Sequence, residues 1–381
     1  MKTPSKRFII ACGGTGGHLS PGIALAERLT EKGFRCTLLV SKKRIDARLS
    51  EKYSELEFLR APGCAFSLRP LAFAKFLLNL LQSLAFGFSL FLRERPAAFV
   101  SFGGFLTVGL AVASRLLFIP VILHEANRVP GKAVRWMSRI ATRVYLPPGV
   151  RLRGITPLAV RSTGFPVRRE IFPRDKAESR RRIGVPATGK LLAVFGGSQG
   201  AKPLNDWIER DLKRFTDAGV SVFCVTGPGK FADAAEGDAT RETRSRDGAP
   251  VFVRFIPFCD DMASALSAAD LVVSRSGAGS LAEFVACCVP AVLVPYPFAA
   301  DNHQEANARF FREKGAGVVV PQTEIATLTD ETLSLVTDDA LLAELRANIE
   351  KMSREFDWSN MVGDLEHYAT GETRGLKSEQ A

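Results

Sequence analysis

The sequence predicts an α/β protein of two domains, each built on a parallel sheet. At 381 residues the chain exceeds the roughly 100–200 residues of one ordinary domain. Each half also begins with a strand, a glycine turn and a helix: Arg7 to Cys12 precedes the glycines at 13–17, and Lys190 to Phe195 precedes those at 196–200. Because such turns let the backbone approach a phosphate or a sugar closely, each domain is expected to bind one substrate.

Charge is divided unevenly along the chain. Residues 1–165 carry 25 Lys and Arg against 8 Asp and Glu, the rest has an acidic excess, and the formal net charge is +11. A domain with this much positive charge is expected to face a polyanion, either nucleic acid or an anionic membrane.

The cysteines and the N-terminus indicate the compartment. Seven cysteines occur without a C-x-x-C pair, which argues against a zinc site and a disulfide framework and favours a reducing compartment. The five-residue apolar run near the N-terminus is too short for a signal peptide, so we expect the protein to stay in the cytoplasm.

The first glycine turn, at 13–18, is typical of dinucleotide-binding enzymes but lacks their acidic partner. A nicotinamide or flavin enzyme needs an acidic residue at the end of the second strand, where it binds the ribose. That strand, Cys36 to Val40, ends here in Ser41-Lys42-Lys43. A dinucleotide enzyme is therefore not favoured.

Residues 66–95 form an apolar segment with three possible explanations: a membrane-spanning helix, a core helix, or a surface helix in the bilayer interface. Spanning is disfavoured because strands resume at once after residue 96, and their sheet would be cut across the membrane. The phenylalanines exceed what one buried stripe needs: Phe73, Phe76, Phe86, Phe88 and Phe91. Flanking Lys and Arg favour an interfacial patch on an anionic leaflet, and the aromatics do not alternate with basic residues as a nucleic-acid surface would. The predicted membrane patch consists of Phe73, Lys75, Phe76, Phe86 and Arg93.

Polar residues follow the strand Val121 to Leu123. They are His124-Glu125-Ala126-Asn127, and side chains at the carboxyl end of a strand are site candidates, although His124 could equally hold its own loop. The charge balance changes near 163–168, where a linker is predicted. The expected divisions are a first domain over 1–165, a second over 166–355, a final helix over 356–370 and a disordered tail over 371–381.

The most informative stretch runs from Ala269 to Asn307. A strand meets the small-residue loop at 276–280, a helix with Glu283 and a second strand follow, and Asp301-Asn302-His303-Gln304 comes next. This arrangement places helix-terminal N–H groups beside an anion above the sheet, where open α/β sheets bind ligands. We therefore predict a site for a diphosphate with a ribose on one side and a sugar on the other. Residues 231–248, upstream, are expected to be a helix that fades into a solvated loop.

Five motifs in order resemble the MurG family of bacterial glycosyltransferases: GGTGGH at 13–18, HEAN at 124–127, GGSQGAK at 196–202, SRSGAGSLAE at 274–283 and DNHQEANA at 301–308. That family moves N-acetylglucosamine from UDP to undecaprenyl-diphospho-N-acetylmuramoyl-pentapeptide, lipid I. The resemblance implies a GT-B fold, two Rossmann-like domains with parallel sheets facing a deep cleft. The first domain would hold lipid I and an anionic membrane, and the second would hold UDP-N-acetylglucosamine.

The same resemblance implies a peripheral enzyme on the cytoplasmic face of the inner membrane, with a cell-wall synthesis complex as a further partner. It assigns Glu283 to the ribose diol, the helix start at 278–280 to the diphosphate, and His303 with Gln304 to the sugar hydroxyls. The backbone at Cys259 would read the uracil. The full set expected at UDP-N-acetylglucosamine is Thr15, Gly16, Gly17, Asn127, Arg168, Ser198, Cys259, Ala278, Gly279, Ser280, Glu283, His303 and Gln304.

The expected reaction needs a base for the acceptor hydroxyl and donors for the leaving diphosphate. His18 is the first choice for the base and Glu125 the second, with Asn127 close to the reacting centre; His18 could instead cap its helix. No D-x-D motif occurs, so neither a metal nor a cofactor is needed. Phe105 stands where the family often has tyrosine, which argues against proton transfer there, and Phe165 departs from the usual linker.

A single in-line displacement would invert the sugar. Three alternatives to the transferase remain: a UDP-N-acetylglucosamine epimerase of the same fold, a dehydrogenase, and a non-catalytic membrane scaffold that binds UDP-sugar.

Overall fold

The chain forms two compact units in a computed structural model. The structure describes residues 6–13, 16–41, 51–63, 70–104, 107–155, 159–197, 200–230 and 238–370. One unit is Met1–Arg168 together with Asp357–Ala381, and the other is Arg169–Phe356. The chain thus leaves the first unit after Arg168 and returns to it at Asp357.

The first unit is built on a seven-stranded sheet in which every strand pairing is parallel. Its strands are β1 Arg7–Ala11, β2 Arg35–Val40, β3 Glu57–Arg60, β4 Ala98–Ser101, β5 Val121–His124, β6 Arg143–Leu146 and β7 Val160–Ser162. Their order across the sheet is β3-β2-β1-β4-β5-β6-β7. The central strands β4 and β5 are buried throughout, as expected for parallel strands covered on both faces. All carboxyl ends therefore meet at one edge of this sheet.

Helices cover this sheet: α1 Gly16–Glu31, α2 Pro70–Glu94, α3 Val108–Leu116 and α4 Lys132–Met137. Helices α2 and α3 approach closely because small residues line their contact. A Cβ on Gly87 would lie 2.9 Å from the Cβ of Ala113, and one on Gly109 would lie 2.8 Å from the Cβ of Ser83. The contact involves α2 from about Leu80 onward, since a Cβ on Gly109 would also lie 3.0 Å from the backbone oxygen of Leu80.

The second unit has its own seven-stranded sheet, ordered β10-β11-β9-β8-β12-β13-β14. Its strands are β8 Lys190–Phe195, β9 Val220–Val225, β10 Ala239–Arg244, β11 Pro250–Ile256, β12 Leu271–Ser274, β13 Ala291–Leu293 and β14 Gly317–Val319. Its helices are α5 Lys176–Arg182, α6 Lys202–Asp217, α7 Met262–Ala268, α8 Ala278–Ala286, α9 His303–Glu313, α10 Leu328–Thr337 and α11 Asp339–Ser353.

One edge of the second sheet differs from the sequence prediction. Residues 239–244, expected to be helix or solvated loop, form β10, which pairs antiparallel with β11 from Ala239 opposite Phe255 to Arg244 opposite Pro250. The helix prediction is wrong there because β10 is a polar, exposed edge strand. Backbone pairing with β11 stabilises it, and no apolar periodicity marks such a strand in the sequence.

The C-terminal helix α12, Ser359–Thr370, belongs to the first unit. Its apolar face joins the core formed by β1, β2 and α1: Met361, Val362, Leu365 and Ala369. The Tyr145 hydroxyl donates a hydrogen bond to Asp364 on this helix, at 2.6 Å. The first unit is therefore assembled from both ends of the chain.

Candidate active site

Helix α8 begins directly after β12 with an uncapped N-terminus. Gly277 is its N-cap residue, in an extended conformation, and no side chain caps the helix. The half-buried Ala278, Gly279 and Ser280 form its first turn. The first N–H groups of a helix have no partner within the helix, and they favour an anion when no side chain accepts from them. This turn is where the sequence predicted diphosphate binding.

Helix α9 presents a second N-terminus of the same kind. Asp301 and Asn302 precede it with φ of 51° and 54°, in the left-handed region that costs most residues about 1–2 kcal/mol and Asn and Asp less. Asn302, the N-cap residue, makes no side-chain cap. Strained backbone of this kind is concentrated at ligand sites, which agrees with the placement of this turn after β13.

Two buried side chains hold the two helix starts together. Ser276, fully buried, donates from Oγ to the backbone oxygen of Gln304 at 2.8 Å. Asn307, also buried, donates from Nδ2 to the backbone oxygen of Ser276 at 3.1 Å. Two partial positive charges thus lie side by side at the carboxyl ends of β12 and β13, an arrangement that suits the two phosphates of a diphosphate.

The orientation of the Gln304 amide follows from one hydrogen bond. Its Oε1 lies 3.0 Å from the backbone N–H of Tyr296, and a backbone N–H can only donate, so the oxygen must face Tyr296. The NH₂ group then points the other way and offers donors. His303 Nδ1 lies 2.7 Å from the backbone oxygen of Ala300, and because a carbonyl oxygen only accepts, Nδ1 is the donor in this hydrogen bond.

Glu283 lies on the same helix as the predicted diphosphate turn. It is half-buried and lies five positions after Ala278, a rise of about 7.5 Å along the helix. Cys259, half-buried, follows β11 at the same edge of the sheet, and Ser198 lies outside the described residues.

Arg275 is a residue of this site that the sequence reasoning missed. Its buried guanidinium donates to the backbone oxygens of Val294 and Pro295 at 3.1 and 3.2 Å and to Gln322 Oε1 at 2.6 Å. It also lies 5.6 Å from the centre of the Tyr296 ring. Burial lowers the pKa of this guanidinium, and the Tyr296 hydroxyl offsets part of the shift. Arg275 thereby holds the segment of residues 294–296 in place. The N–H of Tyr296, in that segment, orients the Gln304 amide. A charged residue directly after a buried strand was the available signal.

In the first unit the structure brings His18 to the second glycine turn. Gly103 and Gly104 both have positive φ, 97° and 83°, which glycine adopts without strain. A Cβ on Gly104 would lie 3.7 Å from His18 Cε1, and one on Gly103 would lie 3.8 Å from His18 Nε2. The imidazole therefore lies at the carboxyl edge of β1 and β4. Gly17 is exposed beside it, only the backbone of Gly16 is described, and Thr15 and Phe105 lie outside the described residues.

The loop after β5 is held by Glu125. Its Oε1 accepts from the backbone and side-chain N–H groups of Asn127 at 2.8 and 3.2 Å, and its Oε2 accepts from the Gly131 N–H at 2.8 Å. The residue is buried. Both carboxylate oxygens are thus engaged by the loop itself, which favours a bracing role for Glu125 over that of the base. Asn127, half-buried, is presented by the loop that Glu125 holds.

Arg168 is a buried residue of the first unit. Its Nη1 donates to the Tyr53 hydroxyl at 3.1 Å. Within the ranges that the structure describes, no group of three or more His, Cys, Asp or Glu side chains is placed to hold a metal ion.

Among the described residues of the predicted membrane patch, the two basic side chains are exposed and the phenylalanines are half-buried. Phe91 is fully buried, and Phe86 and Phe88 pack against the core of the first unit. Where the side chains of α2 are described, from Ala74 onward, the exposed large apolar ones are leucines: Leu77, Leu78, Leu81 and Leu92. Phe91 is buried, and Phe86 and Phe88 are partly buried, because the side of α2 that carries Ser83 and Gly87 packs against α3. Lys75 and Arg93 are exposed and Phe76 is half-buried, whereas the side chain of Phe73 lies outside the description.

By length and composition, α2 could also cross a membrane. An 18-residue window within Ala74–Glu94 has a mean hydropathy of 1.5, and 22% of that window is buried. Core helices of soluble proteins satisfy the same criteria, so the finding is weak evidence for a spanning helix.

Comparison with known proteins places both units in one family. Residues 8–146 match the glycosyltransferase family 28 N-terminal domain, and residues 191–359 match the glycosyltransferase family 28 C-terminal domain. A relative from Opitutus terrae, named UDP-N-acetylglucosamine--N-acetylmuramyl-(pentapeptide) pyrophosphoryl-undecaprenol N-acetylglucosamine transferase, is 51% identical over 94% of this chain and 94% of its own. A relative of the same name from Prochlorococcus marinus is 35% identical over 83% and 84%.

Solved structures agree with this result. The crystal structure of Acinetobacter baumannii MurG matches with a TM-score of 0.69 and 25% identity, over 95% of this chain and 99% of that one. A kitacinnamycin glycosyltransferase matches with a TM-score of 0.68 at 16% identity, over 96% and 100%, which shows the fold alone. The architecture is that of the GT-B glycosyltransferases, and the chain belongs to glycosyltransferase family 28 and, within it, to the MurG family.

Proposed function

We propose that this protein is an inverting glycosyltransferase of peptidoglycan synthesis. It moves N-acetylglucosamine from UDP-N-acetylglucosamine to the 4-hydroxyl of N-acetylmuramic acid in undecaprenyl-diphospho-N-acetylmuramoyl-pentapeptide. The observation that carries the proposal is the 51% identity to the Opitutus terrae transferase over 94% of both chains. An epimerase or a non-catalytic scaffold is not favoured, because the relatives carry the name of the transferase.

The donor is proposed to bind along α8 and α9. The uncapped N-termini at Ala278 and Asn302 take the diphosphate, Glu283 takes the ribose diol, and the backbone at Cys259 takes the uracil. The NH₂ group of Gln304, turned outward by Tyr296, donates to a hydroxyl oxygen of the sugar. The same helix starts stabilise the charge that develops on UDP as it leaves, which is electrostatic preorganisation.

His18 is proposed as the base for the acceptor hydroxyl. It lies at the glycine turn of Gly103 and Gly104, at the edge where the strands of this sheet end and where substrates of α/β proteins bind. A positioned base contributes about 10²- to 10⁴-fold to such a step. Asn127, on the loop that Glu125 holds rigid, contacts the reacting groups.

The exposed face of α2 is proposed to dock on the anionic leaflet of the membrane. The helix has 25 residues and so is about 37 Å long, whereas β3 and β4 have four each, about 13 Å. Since α2 connects two parallel strands, it runs opposite to them, and its N-terminal half extends beyond their carboxyl edge. His18 and Asn127 lie at this same carboxyl edge of the sheet.

The exposed side chains of α2 favour a helix that lies flat on the bilayer. Leu78, Leu81, Ala85 and Leu92 are exposed at spacings that put them on one face of the helix. The exposed Trp136 of α4, with Lys132 and Arg135, adds an aromatic and basic rim at the carboxyl edge, as interfacial helices have. A lipid-linked acceptor would thus be presented next to the proposed base.

Transfer of radiolabel from UDP-N-acetylglucosamine to lipid I, by the purified protein in mixed micelles, tests the enzymatic proposal. We expect a labelled disaccharide-lipid product. Release of free sugar epimer, or binding of UDP without any labelled lipid, would remove the proposal in favour of an epimerase or a scaffold.

A further inference from the structure

One buried histidine has no part in the proposed reaction. His124, at the end of β5, is 1% exposed and packs between the rings of Phe102 and Phe165, with ring centres 5.2 and 6.0 Å away. Its Nε2 lies 3.1 Å from the backbone oxygen of Gly164. A carbonyl oxygen only accepts, so Nε2 carries the proton. Burial lowers the pKa of His124 to about 4, and the side chain is a neutral donor at physiological pH.

Gly164 belongs to a short segment through which the chain leaves the first unit. That segment, 162–164, is hydrogen-bonded to the returning segment, 357–360. The Gly164 N–H donates to the oxygen of Asp357 at 2.7 Å. Thr163 Oγ1 donates to Asn360 Oδ1, and Asn360 Nδ2 donates to the oxygen of Ser162, both at 2.7 Å. We call these two stretches the crossing segments.

Along the chain, His124 is followed directly by the loop that carries Asn127. The next residue, Glu125, braces that loop through Asn127 and Gly131, and its own N–H donates to the oxygen of Tyr145. His124 is thus followed by a rigid loop and hydrogen-bonded to the crossing segments. A displacement of Gly164 would move the ring of His124 and, through the chain, the position of Asn127.

We propose that His124 is a positioning residue that fixes the loop of Asn127 to the crossing segments through its Nε2–H. This rests on the proposed glycosyl transfer, since Asn127 acts in that reaction. The proposal assigns His124 no proton transfer and no contact with either substrate. It requires only a neutral N–H donor that reaches Gly164.

Two amide variants separate this role from the chemistry of an imidazole. In His124→Gln the amide nitrogen takes nearly the place of Nε2, whereas in His124→Asn it is one methylene too short to reach the Gly164 oxygen. Both variants bury the same polar group, so they form a matched pair. Turnover, the KM for each substrate, the Kd for UDP and the Tm are to be measured for both, at a temperature where circular dichroism shows them folded.

We expect His124→Gln to keep kcat within about threefold of wild type, because one hydrogen bond of similar geometry is retained. We expect His124→Asn to lose up to about 100-fold in kcat, the effect of a reacting group displaced by about 1 Å. The Kd for UDP stays unchanged in both, because its proposed ligands belong to the second unit. A role in stability alone would lower the Tm of His124→Asn and leave kcat at the assay temperature unaffected.

Equal loss in both amide variants would overturn the proposal in favour of imidazole chemistry, and a folded His124→Asn with wild-type kcat would overturn it in favour of a packing role. Thr163→Val provides a second test if His124→Asn fails to fold. It removes the hydrogen bond from Thr163 to Asn360 and so loosens the segment to which His124 fixes the loop of Asn127. We expect a lower kcat with an unchanged Kd for UDP, and a wild-type kcat in this variant would contradict the proposal. A wild-type protein that makes no labelled lipid would instead refute the proposed function.

Discussion

The backbone N–H groups at the carboxyl edges of the two sheets differ in whether a side chain accepts hydrogen bonds from them. In the second unit the starts of α8 and α9 have no side-chain cap, and the buried Ser276 and Asn307 hold them together. In the first unit the Glu125 carboxylate accepts from the N–H groups of Asn127 and Gly131. N–H donors without a side-chain acceptor suit a diphosphate, whereas donors already paired with a carboxylate make a rigid loop for a neutral hydroxyl.

One kind of strand–turn–helix unit can therefore serve two different tasks. In the proposed reaction the second unit stabilises charge, and the first unit places a base and an amide beside an acceptor. If this division holds, variants in the first unit should change turnover, and variants in the second should change donor binding.

The largest expected effect comes from His18→Ala. Loss of a positioned base should lower kcat by about 10²- to 10⁴-fold, while the Kd for UDP, measured by calorimetry, stays as in wild type. His367→Ala, in α12 of the same unit, is the control and should leave both values unchanged. A His18→Ala protein with normal kcat would remove His18 from the reaction.

The complementary variant is Glu283→Ala. Loss of a charged hydrogen bond to the ribose should raise the KM for UDP-N-acetylglucosamine by about 10- to 100-fold, with a smaller change in kcat. Glu313→Ala, at the exposed end of α9, is the matched control. An unchanged donor KM together with a large fall in kcat would contradict the division of tasks between the units.

The titration of His124 should make the free energy of unfolding depend on pH. Burial lowers the pKa of His124 from 6.5 to about 4 in the folded protein, so the unfolded chain binds its proton first as the pH falls. The free energy of unfolding should therefore decrease between pH 6.5 and about 4, by up to about 3 kcal/mol from this group. Urea unfolding of His124→Gln should lack this part of the decrease; parallel curves for the two proteins would exclude a buried neutral His124.

The smallest expected effect concerns the exposed leucines of α2. Leu78→Glu with Leu81→Glu should weaken binding to vesicles of phosphatidylglycerol and phosphatidylcholine by about tenfold. Activity on a water-soluble acceptor should be unchanged. Phe172→Glu, an exposed site in the second unit, serves as the control in co-sedimentation. Undiminished binding of the double variant would place the membrane contact elsewhere.

The sequence by itself determined the two α/β units and the local structure of much of the proposed donor site. Apolar strands, glycine turns and the small residues after β12 are local features, and each acts through the backbone of its own segment. The start of α8 at Ala278 could therefore be placed from a few neighbouring residues. The family could be identified from five short motifs that occur in the chain in the order typical of the family.

Only the tertiary structure decided which polar and aromatic side chains face a partner. It buries Phe91, partly buries Phe86 and leaves leucines exposed, because Ser83 and Gly87 bring α2 close to α3. In the folded chain both oxygens of Glu125 accept hydrogen bonds, and Arg275 packs beside the proposed donor site. The His124 ring hydrogen-bonds to Gly164, 40 residues away. Hydrogen-bond partners and helix faces depend on contacts between distant segments, and local residue patterns do not encode such contacts.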